Sequence, residues 1–190
     1  MAVCEAVELG RKVAVGPLTG MTYLEVAQDT MDFLAFGQND AGPPRGGWGY
    51  EANQGWADNS NSGYIQNDVN GDPEDGGSGY QDPNNWVNTL KTGNLLQQMA
   101  LYGDGPPTQR VKDALAYLER HWNDLNSDPG WRGWGYPPNP AEYQATFTIM
   151  KGLTALNIPA VDGIDWGKDF ETALVAQQQL DGSWPFTNWD

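Results

Sequence analysis

The stretch Ala176-Gln-Gln-Gln-Leu-Asp-Gly-Ser-Trp184 has weaker copies upstream, and their spacing limits what this chain can fold into more than any other feature. Each copy joins the end of an amphipathic helical pattern to a loop rich in Gly and aromatic residues. Four line up. Phe33 to Asp40 is followed by Gly46-Gly-Trp48-Gly-Tyr50, Tyr64 to Asp68 by Gly76-Gly-Ser-Gly-Tyr80, and Tyr117 to Asp124 by Gly133-Trp134-Gly-Tyr136, while Gln177 is followed by Gly182-Ser-Trp184. The anchors Gln66, Trp122 and Gln177 lie 56 and 55 residues apart, whereas Gln38 and Gln66 are separated by only 28. A period near 55 suits two helices and a substantial loop, being too long for a helix-turn-helix repeat of about 34 residues.

Helical patterns fill the space between the copies. Met1 to Val15 reads as a short helix broken at Gly16-Pro17. Within Tyr23 to Gly37, residues Tyr23, Leu24, Ala27, Met31, Leu34 and Ala35 recur at spacings of three and four, which places them on one helical face. The loop from Gln38 to Gly55 carries too many Gly and Pro to be helical. Further helices are expected over Asn84 to Tyr102, over Thr108 to Trp122 with Thr108 as cap, over Pro140 to Leu156 and over Asp165 to Gln179. Half of these carry apolar residues nearly all round, which calls for two concentric layers of helices in an all-α domain spanning 1–190. One irregularity stands out. Asp58 to Asn61 offers capping oxygens for a helix that never follows, because the chain passes directly into Ile65-Gln66-Asn67-Asp68, the pattern of a helix end. With the half-length first interval, this points to an absent helix pair near 64–65.

Composition removes several classes of function. A net charge of -15 with ten Lys and Arg excludes a phosphate-binding surface, hence nucleic acid. No apolar run reaches the length of a membrane span, and Glu5, Glu8, Arg11 and Lys12 interrupt the start where a signal peptide needs an apolar core. Cys4 is the only cysteine, so no intrachain disulfide forms, and with His121 it leaves a zinc site short of ligands. Both have plain readings, Cys4 as a small buried hydrophobe and His121 as a surface or interhelix residue. In the most acidic loop, Asp68, Asn70, Asp72 and Asp75 place oxygens at alternating positions about Gly71, as an irregular calcium site or a plain acidic turn does. An EF-hand is excluded, since its twelfth position falls on Gly79 where a bidentate Glu is needed.

At its Gln and Gly-x-Trp pairs the chain resembles the prenyltransferase and squalene oxidase repeat family. The likeness is strongest at Gln177 to Trp184, close to that family's QW motif, and runs from Met21 to Trp189. It implies an (α/α) toroid of alternating inner and outer helices, here partial or open with about four repeats. It also implies that Gln38, Gln66 and Gln177 brace the ends of outer helices, with Trp48, Tyr80 and Trp184 stacked against them and with Trp134 and Gly182 as parts of the motif. Gly46-Gly-Trp-Gly-Tyr50 with Trp56-Ala-Asp-Asn-Ser-Asn61 is similar to the non-catalytic prokaryotic branch found in secreted and cell-surface proteins.

The catalytic members of such a family need groups this sequence does not offer in the same form. A class II terpene cyclase uses an Asp-x-Asp-Asp acid, and the nearest stretch here, Asp72-Pro-Glu-Asp75, lies in a Gly-rich loop where desolvation cannot tune it. A protein prenyltransferase holds zinc through Asp, Cys and His, and Cys4 lies far from any central cavity. A glycan-processing enzyme with two carboxylates across an aromatic cleft is the better enzymatic alternative. The expectation is therefore a non-catalytic extracellular or surface scaffold that requires no cofactor, with calcium as the one candidate ion. It would act by self-association, by binding another chain, or by holding glycan on the spare aromatics Trp56, Trp86, Trp131 and Trp189.

Overall fold

The computed structural model describes residues 8–42, 45, 47–57, 76–80, 85–125, 130–133, 136–137 and 139–186. The chain divides into two compact units, Met1–Trp56 and Ala57–Asp190. Among the described residues the protein is all-α: five helices and no strand, with three isolated bridges. No described helix is long and apolar enough to cross a membrane. The predicted junction at 64–65 lies outside the described residues.

In the first unit, residues 8–15 are not helical, contrary to the periodicity reading, while 1–7 lie outside the described residues. Gly16 and Gly20 take φ of 86° and 94°, which turns the chain back on itself. The two arms then pair, with the Val13 N–H donating to Met21 O at 2.8 Å and the Tyr23 N–H to Arg11 O at 2.9 Å. Helix α1 (Tyr23–Gly37) begins at a capping box: the Glu25 N–H donates to Thr22 Oγ1 at 3.2 Å, and the Thr22 N–H to Glu25 Oε2 at 2.7 Å. These bonds favour the ionised carboxylate and hold the Glu25 pKa below its ordinary value.

The second unit contains α2 (Thr89–Leu101), α3 (Gln109–His121), α4 (Tyr143–Ala155) and α5 (Trp166–Gln177). Helices α2 and α4 form the central pair, α3 packing on α2 and α5 on α4. Two glycines let the central helices approach. A Cβ added to Gly93 would lie 2.5 Å from Ile149 N, and one added to Gly152 would lie 2.5 Å from Gly93 O. Thr148 Oγ1 donates across the same contact to Leu90 O at 2.9 Å. Around this crossing the core buries Leu95, Leu96, Met99, Ile149 and Leu153, joined by Val111, Ala114 and Leu118 from α3 and by Phe170 and Ala173 from α5.

The helix starts fall where side-chain oxygens or turns put them. Asn88 Oδ1 accepts the Lys91 N–H at 3.1 Å and Asp165 Oδ1 the Lys168 N–H at 2.9 Å. Thr108 precedes α3 but makes no cap bond into the helix, its Oγ1 accepting the Gly105 N–H instead. Helix α2 starts at Thr89 and not at Asn84, because Asn88 is bridged to Ser78 in extended backbone before the helix begins.

Candidate functional site

Every helix leaves its last carbonyls without an intrahelical donor. This chain answers with tryptophan. The Trp48 indole N–H donates to Leu34 O at 2.7 Å, and the Trp184 indole N–H to Leu174 O at 2.9 Å. Each acceptor lies four residues before its helix's C-cap, Gln38 for α1 and Gln178 for α5; Leu174 O also accepts the Gln178 N–H at 3.1 Å, so there the indole is a second donor. At α3 the Trp131 indole N–H reaches the C-cap carbonyl of Trp122 at 2.8 Å, and beyond α4 the Trp166 indole N–H reaches Ile158 O at 2.9 Å. Downstream indoles thus bond carbonyls at the ends of three of the five described helices, α1, α3 and α5, while Ile158 lies two residues past the α4 C-cap Leu156.

Side-chain amides tie the same ends to other backbone. Gln177 Oε1 accepts from the Ala141 N–H at 3.1 Å and the Tyr143 hydroxyl at 2.9 Å, which fastens the end of α5 to the start of α4. In the first unit the hub is Asn39, which the sequence did not single out. Buried, it donates through Nδ2 to Trp56 O at 2.8 Å and to Gly47 O at 3.1 Å, and accepts the Gly55 N–H at 2.9 Å. Its neighbour Gln38 sits half-buried at the C-cap of α1. An amide two residues after an apolar helix was the available signal, since a buried amide can serve both donors and acceptors of a folded-back loop.

The aromatics proposed for glycan binding divide. Trp131 is only 2% exposed and therefore does not offer a face for a sugar. Its ring packs with Trp122, Phe170 and Tyr136 at centroid distances of 5.2–5.8 Å, as a core residue. The sequence placed it in a Gly-rich loop, and loop position did not reveal that the loop folds inward. Trp122, itself buried, donates its indole N–H to Asp169 Oδ2 at 2.7 Å. Trp56 is half-buried and meets Tyr50 edge-on at 5.7 Å. Trp86 is 36% exposed; Tyr80 packs on it edge-on at 5.4 Å and the ammonium of buried Lys91 lies 3.8 Å from its ring centroid. Gly182, at φ 85°, turns the chain between Gln179 and Trp184. Trp134, Trp189, Gln66 and the calcium candidates Asp68, Asn70, Asp72 and Asp75 lie outside the described residues.

Two carboxylates meet near the end of α3. Glu119 near the end of α3 hydrogen-bonds Asp162, and that bond, with the like charge of Asp162, raises the Glu119 pKa above its ordinary value. Among the described residues no group of three or more His, Cys, Asp or Glu could hold a metal ion.

Helix α1 leaves apolar surface exposed. Of the fifteen residues of α1 only Gly37 is buried. Leu24, Met31, Phe33, Leu34 and Phe36 are all exposed, Phe33 by 65% and Phe36 by 72%. Leu24, Ala27, Met31, Leu34 and Ala35 form the stripe expected from their spacing, with Val26 and Phe33 further round the helix. On α5 an open depression of about 350 Å³ has Lys168, Glu171, Thr172, Val175 and Ala176 as its described lining.

Comparison with protein-family models, with curated proteins and with solved structures finds no match to this chain. Its geometry is thus the ground on which a function is argued.

Proposed function

We propose that this chain is a non-catalytic repeat scaffold of the (α/α) toroid kind, partial or open, which works outside the cell or at its surface by holding another protein chain. Two features support the architecture: the order α3, α2, α4, α5 by packing, and the matching indole closures at the ends of α1 and α5. The observation that carries the function is the apolar stripe of α1, where Leu24, Met31 and Leu34 face solvent on one side of the helix, with Phe33 and Phe36 exposed on the other. Scattered apolar residues on a surface are ordinary, whereas a contiguous patch on one element marks an interaction surface. Of the aromatics that could line a sugar cleft, Trp131 is buried in the core and the Trp86 ring is packed by Tyr80 and Lys91.

The test is binding of the apolar dye anilinonaphthalene sulfonate to the folded protein. The account expects enhanced dye fluorescence well below the thermal transition. It also expects a several-fold loss in the triple variant Leu24→Gln, Met31→Gln, Leu34→Gln, whose thermal midpoint stays unchanged because those side chains are exposed. No enhancement with the unmutated protein, or the same enhancement in the variant, refutes the scaffold reading.

A further inference from the structure

We infer that α1 is a helix–coil switch, held helical by clamps at its two ends, so that release of either end melts the whole helix and withdraws its apolar stripe; the use of such a switch rests on the scaffold reading above. The first four N–H groups of a helix have no partner within it. At the start of α1 all four are met. The Thr22 N–H donates to Glu25 Oε2 at 2.7 Å, the Tyr23 N–H to Arg11 O and the Leu24 N–H to Leu9 O at 2.9 Å each, and the Glu25 N–H to Thr22 Oγ1 at 3.2 Å. The extended arm carrying Leu9 and Arg11 is thus as much a part of the cap as the capping box. At the other end Leu34 O accepts the Trp48 indole N–H at 2.7 Å, Ala35 O the Gln38 N–H at 3.4 Å and Gly37 O the Asn53 N–H at 3.0 Å. Buried Gly37 belongs to this second clamp, since a Cβ added to it would lie 3.8 Å from Trp48 Cδ1.

Between the clamps little holds α1 in shape. From Tyr23 to Phe36 no residue is buried, so packing contributes little to the helix. Its own sequence contributes little more. Val26, Asp29, Thr30 and Asp32 all favour a helix less than Ala does. Glu25, Asp29 and Asp32, spaced four and then three apart, share one side and repel, and no Lys, Arg or His occurs within Tyr23–Gly37 to offset them. The bond from Gln28 Nε2 to Asp32 Oδ1 at 2.8 Å is a small compensation at an exposed position. At fifteen residues α1 is near the length at which even Ala-rich helices are marginal in water. Helix α4 is the contrast, for Ala145, Thr146, Ile149, Gly152 and Leu153 are buried along its length. Nucleation is costly relative to growth, so a helix as short as α1 opens nearly all at once and not turn by turn.

Hydrogen exchange of the folded protein, read by mass spectrometry on peptides from α1 and α4, tests this. Amides of α1 are expected to exchange at least about tenfold faster than the core amides of α4, such as those of Ile149 and Leu153, because a helix without burial opens locally at low cost. Two variants release one clamp each. Thr22→Ala removes the cap oxygen, and Trp48→Phe keeps an aromatic ring while removing the indole donor. Each is expected to speed exchange at least about threefold at the far end of α1 as well as the near end, with α4 unchanged, and Thr22→Ser is expected to restore the unmutated rates. Acceleration confined to the turn beside the substitution is fraying and overturns the inference. So do amides of α1 as slow as those of α4 in the unmutated protein. Equal acceleration of α1 and α4 in Thr22→Ala also overturns it, because α1 then does not open by itself. Thr22→Ala decides alone if Trp48→Phe disturbs its own loop. Failure of the scaffold reading is separately visible, since it is read from the dye on the unmutated protein and the exchange rates do not depend on the dye.

Discussion

Gln177 gathers two donors from the start of α4 onto one amide oxygen, the Ala141 N–H and the Tyr143 hydroxyl. Removing it takes the acceptor away from the backbone N–H of buried Ala141. Gln177→Ala should therefore cost about 1–3 kcal/mol in urea unfolding, the range for a lost bond that leaves its partner unsatisfied. Gln178→Ala, which loses one exposed bond to Gly182 O, should change stability by less than about 0.5 kcal/mol. Equal effects would contradict the bracing role. A second residue-scale prediction concerns Glu119. Its folded pKa is raised by Asp162, so the stabilisation linked to its protonation is present below the unfolded pKa and is lost as pH rises through the folded one. Asp162 adopts φ 40°, which Asn also tolerates, so Asp162→Asn removes the repulsion without straining the turn. As pH rises through and just above the ordinary glutamate range, the thermal midpoint of the unmutated protein should fall relative to that of Asp162→Asn. A difference that stays constant with pH would show that the pair does not share a proton.

At the scale of elements, the α2–α4 crossing is the most sensitive part of the second unit. Gly93→Ala gains about 1 kcal/mol of helix propensity but places a methyl group against the Ile149 backbone, and overpacking of that kind costs about 1–3 kcal/mol or more. The net expectation is destabilisation. Gly167→Ala is the control, since its Cβ would meet only Asp165 Oδ1 at 3.6 Å, and it should stabilise by about 0.4–1 kcal/mol. The order of these two variants in a denaturation series checks the crossing directly. Element existence was legible because apolar spacing is a local property: α1 falls on Tyr23–Gly37 as its periodicity demands. Element starts were less so, because Asn88 and Glu142 are held by contacts from outside their helices, Asn88 by its bridge to Ser78 and Glu142 by its N–H donating to Trp131 O at 3.0 Å. Residues 8–15 misled for the same reason. Their apolar spacing suits a helix, but pairing with the 20–23 segment satisfies their backbone in extended form.

For the molecule as a whole, the sequence made the tryptophans conspicuous without indicating their use. Indole N–H groups spent on helix-end carbonyls and rings spent in a core look identical, in a sequence, to rings waiting for a sugar; Trp131 and Trp86 both precede or follow polar loop residues, yet one is buried and the other is not. The exposure of α1 was equally hidden, since a helix pattern says which residues share a face and not what covers it. The most direct measurement is the rate of methionine oxidation by hydrogen peroxide in the folded protein, resolved residue by residue by mass spectrometry. Met31 is 55% exposed on α1 and Met99 is 4% exposed in the α2–α4 core, so one chain carries both the test and its reference. The account predicts that Met31 oxidises at close to the rate of a free methionine while Met99 is protected at least tenfold. Protection of Met31 equal to that of Met99 in the isolated chain would mean that α1 is already covered, and would contradict the docking surface on which the proposed function rests.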